Sequence, residues 1–148
     1  MQTADIINEY HRCTIIRDKR LIERDYGSLS GLNVEQNKDR LEAGEGEGIE
    51  TLEYVAERMT SFFTETILES PPAVPAVVVV SHGIAIRELL VALGLVAPGH
   101  RIEHNHVYEL HVEREQVGDT SLEKIASMAI HPVESFPDTD AECLHSTL

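Results

Sequence analysis

The stretch VVVVSHGIAIRELL, residues 77–90, decides the fold because it joins a strand-like run directly to a helical one. Four consecutive valines predict a strand that is buried on both faces of a sheet. Ser81, His82 and Gly83 then turn the chain into an apolar helix over residues 84–93, which Gly94 ends. In open α/β sheets, ligands bind just past the carboxyl ends of parallel strands. The pattern therefore places His82 at a candidate site.

The rest of the chain alternates between helical and strand-like patterns. The clearest helix follows Thr51, a predicted N-cap, and stops before Pro71-Pro72. Its predicted core face is one apolar stripe: Leu52, Val55, Met59, Phe62 and Phe63. Weaker patterns predict helices over residues 3–10 and 33–41, and strands over residues 14–16, 106–112 and 125–130. This alternation favours an α/β sandwich.

Charge and composition exclude several classes of partner. Twelve basic and twenty-six acidic residues give the 148-residue chain a net charge of −14, so we expect no nucleic acid and no membrane as partner. An anionic small substrate needs a local cluster of cations to overcome that field. The sequence has two cysteines, no signal-peptide pattern and no apolar run long enough to cross a bilayer. These features predict a cytoplasmic protein.

Two segments carry residue types suited to catalysis. A single histidine is most often structural or exposed, but His82 precedes a predicted helix start, whose backbone N–H groups favour an anion. Glu23 lies among basic residues in RLIERDYGSLSG, residues 20–31. Such a charge run is usually a solvated turn. A carboxyl group held near a histidine can instead exchange a proton with a leaving group.

In series, three segments resemble the later part of the histidine phosphatase superfamily, which has a phosphoglycerate mutase-like fold. They are RLIERDYGSLSG, GIETLEYVAER at residues 48–58, and VVVVSHGIAIRELL, and the likeness runs over about residues 2–130. Within the family, their order and spacing are most similar to the TIGAR-type fructose-2,6-bisphosphatases. One loop departs from the family pattern, because residues 48–51 are Gly-Ile-Glu-Thr where relatives have Gly-Gly-Glu-Thr.

The resemblance implies a role for each matching residue. Glu23 matches the family's proton donor, which protonates the leaving oxygen of the substrate. His82 matches the family's second histidine, which hydrogen-bonds the phosphoryl oxygens and stabilises charge as it develops. The implied substrate-binding residues are Tyr26, Gly27, Gly83 and Asn105. The implied activity is hydrolysis of a small phosphorylated sugar, with fructose 2,6-bisphosphate favoured, and the chemistry needs no cofactor and no metal.

The resemblance also implies a three-layer αβα sandwich with the first strands of its sheet missing. Residues 1–131 would form a partial histidine phosphatase domain, and residues 132–148 a loose tail. The family's nucleophile is a histidine in an Arg-His-Gly motif, and this sequence contains no such motif. We therefore expect an N-terminally truncated, inactive chain that is unstable alone or depends on a partner, because a buried strand without neighbours leaves backbone groups unpaired. A non-catalytic pseudophosphatase that binds a protein or a metabolite is the alternative.

Other polar side chains have simpler interpretations. His104 and His106 alternate as on a strand, with His111 further along, and a metal site there is the alternative to a solvated edge. We expect the solvated edge, since no carboxylate or cysteine constellation accompanies them. We expect Arg87, on the helix after His82, to form a surface ion pair with a nearby acid.

Overall fold

The computed structural model describes residues 2–33, 35–43, 45–69, 76–103, 106–117 and 120–132. Its helices and strands are α1 (Gln2–His11), α2 (Lys38–Ala43), α3 (Leu52–Phe62), α4 (Gly83–Ala92), β1 (His106–Val117) and β2 (Thr120–Pro132). Short 3₁₀ turns occupy Lys19–Leu21, Gly27–Leu29 and Glu35–Asn37, and a π-helical turn over Phe63–Leu68 extends α3. The helices predicted over residues 3–10 and from 52 onward are therefore confirmed. The helix predicted over residues 33–41 is confirmed in part, as a 3₁₀ turn followed by α2, which begins at Lys38 and runs to Ala43.

The chain divides into two compact units, of which the first consists of residues 1–17 and 103–148. Its described parts include α1 and an antiparallel hairpin of β1 and β2. In the hairpin, His106 lies opposite Pro132 and Val117 opposite Thr120, with a register shift after His111. The strands predicted at residues 106–112 and 125–130 are confirmed, and both are longer than their apolar alternation indicates, because backbone pairing continues beyond it.

The second unit, residues 18–102, contains α2, α3 and α4. Helix α3 begins after Thr51, whose hydroxyl oxygen accepts a hydrogen bond of 3.2 Å from the backbone N–H of Tyr54. Helices α3 and α4 pack against each other. The buried apolar side chains of the described residues all belong to this unit: Leu29, Val55, Met59, Phe62, Phe63, Ala85, Leu89 and Leu90. The predicted apolar stripe is confirmed, except that Leu52 is only half-buried.

Helix α4 ends as the sequence predicts. Gly94 follows it with a φ of +71°, a left-handed conformation that glycine adopts without a steric penalty. The N–H of Gly94 donates to the carbonyl of Val91, and the N–H of Leu95 donates to the carbonyl of Leu90, each at 2.9 Å. These bonds satisfy carbonyl groups that the end of a helix otherwise leaves without partners.

The valine run does not form the buried strand that its composition predicts. Residues 76–80 belong to no strand, and the side chains of Val77, Val78 and Val79 are 50%, 71% and 39% exposed. The strand predicted over residues 14–16 is also absent, and Ile16 is 79% exposed. A strand requires a neighbour that accepts and donates backbone hydrogen bonds. Neither segment has such a neighbour among the described residues, so the predictions of a buried strand at residues 77–80 and of a strand at residues 14–16 are wrong.

The α/β class is consistent with these helices and strands, but the described ranges contain no parallel sheet. Their sheet is the two-stranded hairpin. The three-layer sandwich therefore stays a prediction, as do the domain boundaries at residues 131 and 132. The predicted helix stop at Pro71-Pro72 and the tail after residue 132 lie outside the described residues. Within the described part of the chain, no helix has the length and apolar character needed to cross a membrane.

The packing of α3 on α4 predicts a large cost for truncating its central side chain. Met59 is 1% exposed, and Met59→Ala removes its buried methylene and thioether groups while leaving a cavity. We expect the free energy of unfolding to fall by about 2–5 kcal/mol, measured by urea denaturation. The matched control is Tyr54→Ala on the same helix, where the side chain is 59% exposed and the expected change is within about 0.5 kcal/mol. Equal effects of the two substitutions would contradict this assignment of the core.

Candidate functional site

His82 stands at the beginning of α4. Its backbone is extended, with φ −124° and ψ +166°, and its carbonyl accepts the first hydrogen bond of the helix, 2.9 Å from the N–H of Ile86. The imidazole is exposed and does not cap the helix. Gly83, the first residue of α4, has nothing within 4 Å of the position where a Cβ would lie. The surface at this helix end is therefore open beside the histidine.

The carboxylate of Glu23 occupies the same helix end. Its Oε2 accepts a hydrogen bond of 3.3 Å from the N–H of Ile84, and its Oε1 accepts one of 3.2 Å from the N–H of Ala85. The N–H of Arg24 donates to Oε1 at 2.8 Å. The first N–H groups of a helix have no acceptor within the helix, and the helix dipole favours a negative charge there. The structure thus brings Glu23 and His82 together at the start of α4.

An ion pair of Arg58 and Glu50 holds the chain segment that carries Glu23. Nε of Arg58 lies 2.6 Å from Oε1 of Glu50, and the two side chains are only 9% and 11% exposed. The Arg58 guanidinium also donates to the carbonyls of Arg20, Ile22 and Glu23, at 2.6, 2.8 and 3.3 Å. The Arg58 hydrogen bonds and charge hold the pKa of the Glu50 carboxyl below its ordinary value of 4.5.

The Glu23 segment is also tied to the residues just before His82. The hydroxyl of Ser81 donates a hydrogen bond of 2.8 Å to the carbonyl of Leu21. The sequence analysis missed this contact and the roles of Glu50 and Arg58. Both latter residues stand in GIETLEYVAER, but nothing in that segment indicates that a guanidinium from α3 binds carbonyls more than thirty positions earlier.

Tyr26 lies half-buried close to these groups. Burial raises the pKa of its phenol, and the negative charge of Glu23 raises it further, against the opposite effects of Arg24 and Arg87. The guanidinium carbon of Arg24 lies 5.5 Å from the centre of the tyrosine ring. The phenol is therefore a neutral group that can donate a hydrogen bond. Arg87 forms the predicted ion pair, with its Nε 2.6 Å from Oε1 of Glu88.

Gly27 permits the turn after Tyr26 to lie against the loop before α3. Its φ is +52°, and a Cβ there would overlap the carbonyl oxygen of Glu47 and come within 2.6 Å of the carbonyl carbon of Gly48. The N–H of Ser28 donates to the same Glu47 carbonyl at 2.9 Å. Glycine is thus required both by the left-handed backbone and by the close approach of two backbone segments.

A cleft of about 590 Å³ is lined by this loop. Its walls are Arg24, parts of α2, and residues of the segment 46–53, which includes the Gly-Ile-Glu-Thr of residues 48–51. Nε of Arg24 donates to the backbone carbonyl of Glu50 at 2.7 Å. Among the described residues that line the cleft, Arg24 is the one cationic side chain, while Glu50 and Glu53 contribute negative charge.

The asparagine and the other histidines that the sequence analysis names belong to residues 103–148, in the other unit. Asn105 and His104 lie outside the described residues. His111 and His131 each contact Glu109 on the hairpin, with Nε2 at 3.2 and 3.0 Å from its two carboxylate oxygens. Among the side chains that the structure describes, no group of three or more histidine, cysteine, aspartate or glutamate residues is arranged to hold a metal ion.

Comparison with known proteins identifies the family. Residues 1–123 match the histidine phosphatase superfamily (branch 1). Among similar proteins, an uncharacterized phosphatase PhoE of Bacillus subtilis (strain 168) is 34% identical over 89 residues, which are 60% of this chain and 45% of that protein. No solved structure matches the chain.

Two further relatives are phosphoglycerate mutases. The 2,3-bisphosphoglycerate-dependent phosphoglycerate mutase of Methylorubrum extorquens (strain PA1) is 28% identical over 116 residues, 62% of this chain and 54% of that protein. The enzyme of the same name from Methylorubrum populi is 33% identical over 91 residues, 53% of this chain and 42% of that protein. The chain thus spans about half the length of the curated relatives it matches.

The contact of Gly27 with the neighbouring loop predicts a difference between two glycine substitutions. Gly31 has a φ of +81° but nothing within 4 Å of its Cβ position, so Gly31→Ala costs only backbone strain, about 1–2 kcal/mol. Gly27→Ala adds the overlap with Glu47, and we expect a clearly larger loss of stability in urea denaturation. A cost for Gly27→Ala no greater than that for Gly31→Ala would contradict the close approach.

The lowered pKa of Glu50 predicts an acid-sensitive contribution to stability. A carboxyl whose pKa is lower in the folded state stabilises the fold above its unfolded pKa, and this stabilisation is lost as the pH falls through the folded value. We therefore expect Glu50→Gln to make the fall in the free energy of unfolding below about pH 4.5 shallower. Glu45→Gln, in the exposed loop, is the matched control. An unchanged acid slope in Glu50→Gln would count against the ion pair.

Proposed function

Because the chain belongs to the histidine phosphatase superfamily, we propose that it carries the proton-donor half of a phosphoryl-transfer site. In this proposal Glu23 is the acid and His82 binds the phosphoryl oxygens. The single observation that supports it is the position of the Glu23 carboxylate on the N–H groups of Ile84 and Ala85, in the first turn of the helix that His82 precedes. The two groups that the family resemblance pairs lie at one helix end.

The chemistry follows from what this helix end offers. A phosphoryl group beside His82 would meet the imidazole and the positive end of the α4 dipole, which together stabilise charge on the equatorial oxygens. In phosphoryl transfer, a protein catalyses mainly by positioning the reacting groups and by stabilising the charge of the transition state. Glu23, in its protonated form, gives its proton to the leaving oxygen as the bond from phosphorus to that oxygen breaks.

Attraction of an anion to a chain of net charge −14 requires local cations. Arg24 supplies one near Glu23, since its Nε binds a carbonyl rather than a carboxylate and its guanidinium lies over the ring of Tyr26. Gly83 leaves open space next to these groups. The proposed substrate-binding residues are Tyr26, Gly27 and Gly83, with Asn105 added by the family resemblance alone.

The proposed substrate is a small phosphorylated sugar, with fructose 2,6-bisphosphate favoured by the TIGAR-type order of motifs. The proposed reaction is phosphatase chemistry in the cytoplasm, where a chain with an exposed, unpaired Cys13 stays reduced. Transfer through a phosphohistidine needs a nucleophilic histidine, and the 148 residues contain no Arg-His-Gly. We therefore propose that these residues by themselves bind the phosphorylated group without turning it over.

Nuclear magnetic resonance of the 148-residue chain tests the site. Titration with inorganic phosphate and with fructose 2,6-bisphosphate should shift the ring resonances of His82 and the amide resonances of Ile84 and Ala85 in a saturable way. His82→Ala removes a charge-assisted hydrogen bond, so we expect at least tenfold weaker binding, measured on the Ile84 and Ala85 amides. His111→Ala, on the hairpin, is the control and should bind as the parent does.

A phosphatase assay completes the test. We expect no phosphate release above background from the parent chain, His82→Ala or Glu23→Gln. Saturable shifts that are the same in the parent and in His82→Ala would show that the anion binds elsewhere. Phosphate release that survives in both His82→Ala and Glu23→Gln would contradict the proposed roles of these two residues.

A further inference from the structure

The segment around Glu23 has no regular secondary structure of its own. Residues 22–26 lie between the 3₁₀ turns Lys19–Leu21 and Gly27–Leu29 and belong to no helix or strand. A side chain on such a segment keeps its position only if other parts of the structure bind the backbone on both sides of it. The hydrogen bonds of the segment to α3 and its preceding loop therefore decide where the Glu23 carboxylate lies.

We propose that Arg58 and Glu50 are positioning residues, which hold the backbone of Glu23 so that its carboxylate reaches the start of α4. Arg58 binds the carbonyls of residues 20, 22 and 23, as described above. From Glu50, Oε2 accepts the N–H of Asp25 at 3.0 Å, and the N–H donates to the carbonyl of Asp25 at 2.8 Å. The pair thus binds the backbone before, at and after Glu23. This inference rests on the proposed role of Glu23 as the acid.

The shape of the guanidinium explains why an arginine stands at position 58. Its planar group has five N–H donors, and here they serve two carboxylate oxygens and three carbonyls at once. A lysine ammonium has three donors at one point and cannot span that set. The five acceptors come from two separate segments, so Arg58 couples the Glu23 segment to α3 and to the loop before it.

Burial strengthens the hydrogen bonds that Arg58 and Glu50 make to the Glu23 segment. With Arg58 and Glu50 exposed by only 9% and 11%, water does not compete effectively for their hydrogen bonds. Loss of the guanidinium would remove the cationic partner of the mostly buried Glu50 carboxylate and the donor to three carbonyls of the Glu23 segment, and we expect this segment to move in response. On the opposite side, the Ser81 hydroxyl still holds the Leu21 carbonyl, so the expected movement is centred on residues 22–25.

The hydrogen bonds from Ile84 and Ala85 to the carboxylate give a direct measure of its position. Glu23→Gln replaces the charged acceptor by a neutral one, so it should move the amide proton resonances of both residues. In Arg58→Met we expect both amide resonances to move by at least half of the change that Glu23→Gln produces. The methyl resonances of Val55 and Leu90 report whether the α3–α4 core remains folded.

The matched control is Arg20→Met. Arg20 is also an ion-paired arginine, bound to Asp18 and Glu65 and, on α3, to Ser61. Among the contacts of the described residues, its side chain makes no hydrogen bond to the backbone of residues 22–25. In Arg20→Met the Ile84 and Ala85 amide resonances should lie at their parent positions. A merely structural role of Arg58 would lower stability in urea and leave these two resonances at their parent positions in Arg58→Met.

A conservative variant keeps the inference testable if Arg58→Met does not fold. Arg58→Lys retains a positive charge opposite Glu50, and we expect it too to move both amide resonances by at least half of the change that Glu23→Gln produces. Parent positions of both resonances in either folded variant would overturn the inference. Failure of the proposed function gives a different result. In that case phosphate does not shift the ring resonances of His82, while the Ile84 and Ala85 amide resonances still report the position of Glu23.

Discussion

The candidate site depends on two hydrogen bonds, in which the Glu23 carboxylate accepts the N–H groups of Ile84 and Ala85. These donors begin a helix and have no acceptor within it, and their own side chains cannot supply one. Glu23 satisfies them from a distant part of the chain. The same contact therefore satisfies the first N–H groups of α4 and holds an acidic group at the helix end that His82 precedes. The hydrogen bonds that stabilise this helix end also assemble the candidate site.

Most of the arginine side chains described near this contact are already bound in ion pairs. Arg58 pairs with Glu50, Arg87 with Glu88, and Arg20 with Asp18 and Glu65. Arg24 differs because its Nε binds a carbonyl. In a chain of net charge −14, these pairings reduce the attraction that remains for a phosphorylated ligand. The approach of such a ligand to the proposed site thus depends on His82 and on Arg24.

The exposed valine run gives the contrast to this well-connected region. Val77, Val78 and Val79 have the composition of a strand buried in a sheet, yet their side chains are between 39% and 71% exposed and their backbone is in no ladder. They lead directly to Ser81 and His82, which are anchored through the Leu21 carbonyl and through α4. The helix end is therefore held by its contacts with the Glu23 segment and α3 rather than by a strand before it.

The sequence by itself determined the local elements and the family. The Thr51 cap, the apolar stripe of α3 and the Gly94 stop are recognisable because each depends on residues within a few positions of one another. Only the tertiary structure decided that Glu23 caps α4, that Arg58 binds three carbonyls of the Glu23 segment, and that the valine run stays exposed. Those outcomes depend on partners far away in sequence, and neither composition nor periodicity specifies which distant groups meet.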